Sequence, residues 1–236
     1  MLHTNSGGIY CVIFTQPHKN EKGFSVFTQD IFGPIISYFI GSIPFGFLIV
    51  RMVKGIDIRQ VGSGNPGATN VTRVMGKPYG ILVFILDMLK GFFPVFIFDH
   101  YLAGQEHPLS LILCGVGVVC GHAYPVFLGF KGGKAVATGF GVFLWLAPLP
   151  LMISSAVWLL TVAISRYISL GSILSPVVLV ICLLVLGNAP FGKGLYLTMF
   201  SVFISVLLII RHKSNIKRIL NGTENKIGKK SKPTFQ

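Results

Sequence analysis

The chain has 236 residues, of which 52% are hydrophobic and 11% charged, with a mean hydropathy of +0.73. A soluble domain carries roughly a quarter charged residues, so these figures exclude an ordinary soluble core and point to a membrane protein. The net charge of +13, from 20 Lys and Arg against 7 Asp and Glu, fits cytoplasmic loops, anionic lipid or an anionic substrate. Nucleic-acid binding would need a basic face on a soluble module, and no such module is visible.

Residues 1–30 are mixed and polar apart from the apolar patch Ile9 to Phe14. That patch is too short to span and has no basic region before it, so it makes a poor signal peptide. The stretch is expected to be a flexible extension. Apolar runs follow at roughly 31–50, 79–98, 108–130, 136–164, 167–188 and 195–210. About 20 apolar residues cross a bilayer as a helix. The fourth run is long and interrupted by Ala147-Pro148-Leu149-Pro150. Proline removes a helical donor and clashes with the preceding turn. Split there, the chain is an all-α polytopic membrane protein of about seven transmembrane helices, some short or broken.

Charge orients it. With the N-terminus outside and the C-terminus cytosolic, sixteen of the twenty Lys and Arg lie inside, against Lys19, Lys22 and Lys193 outside and Lys90 within a span. Six spans would put the basic tail and the basic first loop on opposite sides, against the positive-inside rule. The expected organisation is therefore a 1–30 extension, a transmembrane domain over 31–210 and a basic cytosolic segment over 211–236. No internal repeat suggests an inverted-repeat transporter. Cys114, Cys120 and Cys182 sit in apolar runs and Cys11 stands apart; with no CxxC pair, they read as fillers and not as a disulfide or zinc framework.

Three segments fall on the inner face. The first runs from Val61 to Asn70 as VGSGNPGATN, followed by Arg73. Gly62, Gly64 and Gly67 form a formal GxGxxG, but no strand precedes it and no βαβ unit surrounds it, so it fails as a dinucleotide fingerprint. Glycines still let backbone N–H groups turn toward one point as an anion nest. Ser63, Asn65, Thr69 and Asn70 add side-chain donors, and Arg73 a planar fork suited to phosphate. A plain Gly-Pro turn would not need so many donors beside an Arg.

Within the next span lie Asp87 and Lys90. Charges there are costly and usually paired or functional; their i,i+3 spacing favours a mutual structural pair that could also orient the first loop. The second segment spans Gly121 to Thr138, GHAYPVFLGFKGGKAVAT. Lys131, Gly132, Gly133 and Lys134 precede an apolar helix, a setting in which a helix N-terminus, free N–H groups and Lys can hold phosphate; Thr138 lies a turn later. The string is not a Walker A loop, and a simple basic anchor would explain one lysine better than the pair. His122, near a span end, reads more readily as a structural donor than as a base. The third segment is RHKSNIKRIL from Arg211, with Gly222 and Glu224 after it. His212 and Asn215 share a helix face; a basic anchor accounts for the cations but not for these two or for Glu224.

Absences narrow the chemistry. There is no GxSxG elbow, no HExxH and no HxxxxD. With few carboxylates on the inner side, neither metal nor cofactor is expected.

Together these strings, with Gly41-Ser-Ile-Pro44 and the stretch from Asp87 to Pro94, resemble the bacterial acyl-phosphate:glycerol-3-phosphate acyltransferase family of the PlsY type. The resemblance covers about 38–226; residues 1–30 lie outside it, and Ala135 stands where members often have Gly. It implies a seven-helix enzyme of the bacterial cell membrane, with its site at the cytosolic interface and 211–224 on the active-site face. It implies transfer of a fatty acyl group from acyl phosphate to the 1-hydroxyl of glycerol-3-phosphate, giving lysophosphatidic acid and phosphate. It further implies that Ser63 and Arg73 are essential, that the KGGK residues hold glycerol-3-phosphate, that His212 and Asn215 support catalysis, and that Glu224 is structural.

The residues suit that chemistry: two phosphorylated substrates need two anion cradles, and an acyl chain needs a site open to lipid. An activated acyl donor permits direct attack, with Ser63 and backbone N–H groups on the oxyanion, Arg73 on the leaving phosphate, and His212 or the donor's phosphate as base. The alternative from another class is a transporter of a phosphorylated metabolite, whose site would lie near the bilayer midplane.

Overall fold

The computed structural model describes residues 26–102, 108–187 and 189–228. The expected extension falls largely outside these, although helix already begins at Val26. Among the described residues there are ten α-helices and no strand. They are α1 (Val26–Ser42), α2 (Phe45–Lys54), α3 (Ala68–Met75), α4 (Lys77–Ile97), α5 (Pro108–Ala123), α6 (Val136–Leu146), α7 (Pro148–Ser165), α8 (Ile168–Leu186), α9 (Leu195–Arg211) and α10 (Lys213–Leu220).

Five segments are long and apolar enough to cross a membrane, with α1 and α2 taken together over Ile31–Lys54 and α4, α5, α7 and α8 supplying the others. The pair α9–α10, bent by 56°, makes a sixth. Helix α6, with 11 residues, is apolar but short. The fourth apolar run does break at the prolines. Ala147 leaves helical geometry at φ −152° and ψ 66°, and Pro148 opens α7, a first-turn position where its missing N–H costs nothing. The first run also breaks, at Ile43-Pro44.

Helices α1 and α5 pack closely, as do α4 with α6 and α7 with α8. Small residues permit the first two contacts. A Cβ on Gly41 or Gly121 would strike the backbone of Val118 or Tyr38 across the α1–α5 seam, and one on Gly91 or Gly141 would strike Thr138 or Met88 across the α4–α6 seam. Membrane helices gain little from mutual apolar burial and associate through such close backbone approach. Their outward faces are correspondingly apolar: Ile164 is 84% exposed and Val185 74%.

Candidate active site

Four chain segments meet at one end of the bundle: the 57–75 region, the 131–135 loop, the α7–α8 turn, and the α9–α10 break with the irregular tail after it. With α4 and the end of α5 they enclose a polar pocket of about 300 Å³ whose wall includes Ser63, Arg73, Lys134, His212, Asn215 and Glu224.

The first loop owes its shape to internal bonds. Gly62 and Gly64 adopt φ of 67° and 68°, a left-handed conformation open to glycine at little cost. The Asn70 side chain, 1% exposed, fills the turn: Oδ1 accepts from Ser63 N at 2.9 Å and Nδ2 donates to Val61 O at 2.9 Å. Asn65 Oδ1 accepts from Gly67 N at 2.9 Å, and Gly64 N donates to Val61 O. The N–H groups of Ser63, Gly64 and Gly67 are thus already spent. Those three amides are not available to an anion, and Asn70, which also reaches the pocket wall, is a brace for the loop. Gly62 and Gly64 stay outside the pocket wall, whereas Asn65, Gly67 and Thr69 line it beside exposed Ser63. Arg73, in the last turn of α3, is half-buried and faces the same space.

The KGGK loop departs further from expectation. Gly133 N donates to His122 O at 3.1 Å and Gly132 N to Ala123 O at 3.3 Å. Their carbonyls take the Arg211 guanidinium, Nη2 to Gly132 O at 2.7 Å and Nε to Gly133 O at 3.1 Å. Neither glycine lines the pocket, and exposed Lys131 lies outside it. Thr138 is fully buried against α4, away from the pocket. Of this motif only Lys134 enters. Its ammonium donates to Asn215 Oδ1. Burial, with Arg218, Arg73 and Arg211 nearby and only Glu224 opposing, holds Lys134 down to about 8. Ala135 has φ 59°, a left-handed conformation that glycine adopts at less cost.

The tail closes the network. Asn215 Nδ2 donates to Glu224 Oε1 at 2.8 Å, Ser169 Oγ to the same oxygen at 2.9 Å, and Arg218 Nε to Oε2 at 2.7 Å. Burial opposes ionisation of Glu224, but these donors outweigh it and hold the carboxyl below its usual range. Glu224 therefore ties α10 to α8. Ile227 N, bonded to Arg166 O at 2.9 Å, straps the tail across the α7–α8 turn. His212 sits at the α9–α10 break, 3% exposed, with Nδ1 2.8 Å from Leu208 O. A carbonyl only accepts, so Nδ1 carries the hydrogen and a neutral ring leaves Nε2 as the basic nitrogen.

The profile of the glycerol-3-phosphate acyltransferase family matches residues 31–222. The glycerol-3-phosphate acyltransferase of Desulforamulus reducens is 48% identical over 196 residues, covering 82% of this chain and 93% of that protein. The chain belongs to the glycerol-3-phosphate acyltransferase family. The Aquifex aeolicus acyltransferase is 43% identical, covering 84% of this chain and 99% of its own length. A crystal structure of PlsY (YgiH), an integral membrane glycerol 3-phosphate acyltransferase in its glycerol 3-phosphate form, matches with TM-score 0.76 and 43% identity over 84% of this chain and 96% of that one. The lysophosphatidic acid form of PlsY matches with TM-score 0.73 and 42% identity, over 84% and 95% of the two chains.

In this acyltransferase the polar pocket has an apolar neighbour. Phe84, Val136 and Trp158 line both it and a second cavity of about 350 Å³, walled by apolar side chains such as Phe140, Phe143, Leu151 and Leu179. Trp158 is fixed in this shared wall by Nε1 donating to Ser172 Oγ at 3.1 Å. Sequence reading missed Trp158, Ser169 and Ser172. The signal available was polar side chains three apart in the apolar α8.

Asp87 and Lys90 form the expected pair, Nζ to Oδ1 2.8 Å, both about 3% exposed in their side chains. Lys90 Nζ also donates to Ile43 O at 2.7 Å, anchoring the α1–α2 break beside the first loop. Asp87 reaches the pocket wall and Lys90 does not.

Proposed function

We propose that this chain moves a fatty acyl group from acyl phosphate to the 1-hydroxyl of glycerol-3-phosphate, giving lysophosphatidic acid and inorganic phosphate. The observation that carries this reading is a cation-bearing polar pocket set beside an apolar cavity, with Phe84, Val136 and Trp158 as the wall they share. Phosphates and the glycerol moiety suit the first, and an acyl chain suits the second. The carbonyl to be attacked then lies near the junction.

The glycerol oxygen attacks the acyl carbon, the C–O bond to phosphate breaks, and phosphate leaves. The Ser63 hydroxyl donates to the oxyanion, without help from its own N–H, which Asn70 occupies. Arg73, whose guanidinium stays charged, takes the departing phosphate, and Lys134 the acceptor's. His212 Nε2 or the departing phosphate receives the hydroxyl proton.

The same reading places the site on the cytosolic face of a bacterial cell membrane crossed seven times, with α6 as a short span. The cations Arg51, Lys54, Arg73, Lys134, Arg166 and Arg211 then share one side, as the charge bias of membrane loops requires. Surrounding lipid meets the exposed apolar faces and supplies the route for the donor's chain.

Purified protein given acyl phosphate and glycerol-3-phosphate should release phosphate and lysophosphatidic acid in equal amounts, and acyl-CoA should not replace the donor. Efficient acylation from acyl-CoA alone would refute the donor assignment. Cysteines placed at Thr72 and Ser214 should label from the same side of the membrane; labelling from opposite sides would refute the topology.

A further inference from the structure

We propose that His122, backed by Asp87, is a positioning residue that sets Lys134 in the substrate pocket, and that Gly133 acts on the acceptor through this ring and not by touching substrate. The inference rests on the reading of Lys134 as the acceptor's phosphate contact.

Both peptide edges of the Gly132-Gly133 pair are consumed by protein. The amides bond to Ala123 O and His122 O, and the carbonyls to Arg211. No backbone donor of this pair remains for a phosphate. The need for glycine has a different origin. A Cβ on Gly133 would fall on His122 Nε2, with Cδ2 and Cε1 of the ring at 3.0 Å. The imidazole tip is thus seated against the Gly133 backbone, one residue before Lys134. Anything that pushes ring and loop apart moves the ammonium away from Asn215, its partner in the pocket. Displacement of a binding group by about 1 Å can cost a hundredfold in rate.

The ring is held from behind. His122 is 9% exposed at the end of α5, and its Nδ1 faces Asp87 Oδ1 at 3.6 Å, an electrostatic contact longer than a hydrogen bond. The carboxylate is held in turn by Lys90, which reaches on to Ile43 O and lies over the Phe45 ring at 5.4 Å. Asp87 and His122 line the substrate pocket on one side and a small cavity beneath Gly132 and Gly133 on the other. They form the partition between the two. Buried charge of this kind is costly; here it fixes the wall against which the lysine loop rests.

The test is a double-mutant cycle on the purified full-length protein, with acyl phosphate as donor and kinetics taken against each substrate. Gly133→Ala and His122→Asn should each raise the acceptor's KM by about tenfold and change the donor's KM by less than about twofold. Asparagine is shorter than histidine and leaves room for the added methyl. The double variant should therefore be no worse than His122→Asn alone. Losses that multiply to about a hundredfold would mean that Gly133 meets substrate directly, and would overturn the proposal. So would a His122→Asn acceptor KM at the wild-type value. Asp87→Asn keeps the shape of the wall and provides an independent arm should His122→Asn fail to fold. It should raise the acceptor's KM selectively, and an unchanged value overturns the role of Asp87. Wild-type protein that fails to acylate glycerol-3-phosphate would refute the functional reading itself; wild-type activity with an unmoved His122→Asn KM refutes only the positioning.

Discussion

The two glycine-bearing loops at the pocket have similar composition and opposite architecture. The 61–70 loop turns its side chains into the pocket and braces itself from behind with Asn70. The 131–134 loop buries its glycines against His122 and Pro125 and sends in one lysine. In the first, glycine is needed for backbone conformation, with φ of 67° and 68°. In the second, glycine is needed for space. A string of glycines beside cations therefore identifies a phosphate region without identifying which atoms meet the phosphate.

The difference can be broken or sharpened by substitution. Ser63→Ala should have the largest effect, lowering kcat by about a hundredfold or more with little change in the acceptor's KM, since its role is at the acyl centre. Lys134→Met should act on the acceptor's KM, by about tenfold to a hundredfold for loss of one charge-assisted contact, with kcat less affected. The lysine also predicts a pH signature. Its proton is held with a value of about 8 in the fold against 10.5 in the free chain. The charge is present at pH 7 and fades as pH passes 8, so the wild-type acceptor KM should rise between pH 7 and 9. Lys134→Met should lose that rise; an identical profile in the variant would remove Lys134 from acceptor binding.

Asn70→Ala should act on the loop itself. It leaves Ser63 N without its partner and removes one of the two donors to Val61 O; an unsatisfied group costs about 1–3 kcal/mol where it is buried. A lower thermal midpoint together with a fallen kcat is expected; an unchanged midpoint would contradict the bracing role. The smallest effect belongs to Lys131→Met, because that side chain is exposed and outside the pocket. Its acceptor KM should stay within about twofold of wild type, as for a surface position.

Much of this organisation was legible in the sequence. Ala147-Pro148-Leu149-Pro150 predicted the break between α6 and α7 because a proline can open a helix but disturbs its interior. The Asp87–Lys90 pair followed from helical spacing and the cost of lone charge in a span. Ser63, Arg73, Lys134, His212 and Asn215 were selected as site residues and do share one pocket. What escaped was direction. Composition does not reveal that the Ser63 amide is taken by Asn70, or that the Thr138 backbone packs against Gly91 of α4 with the residue outside the pocket. Trp158, Ser169 and Ser172 are brought to the pocket by the packing of α7 on α8, a tertiary event for which isolated polar residues in apolar helices carry no motif.

The most direct test of the central claim is single-turnover transfer from phosphate-labelled acyl phosphate, comparing wild type with Ser63→Ala. The account predicts that wild-type protein forms lysophosphatidic acid and labelled phosphate one for one, and that both slow together by about a hundredfold or more in the variant. Phosphate release without lysophosphatidic acid in the wild type, or a variant that keeps the wild-type rate, would contradict it.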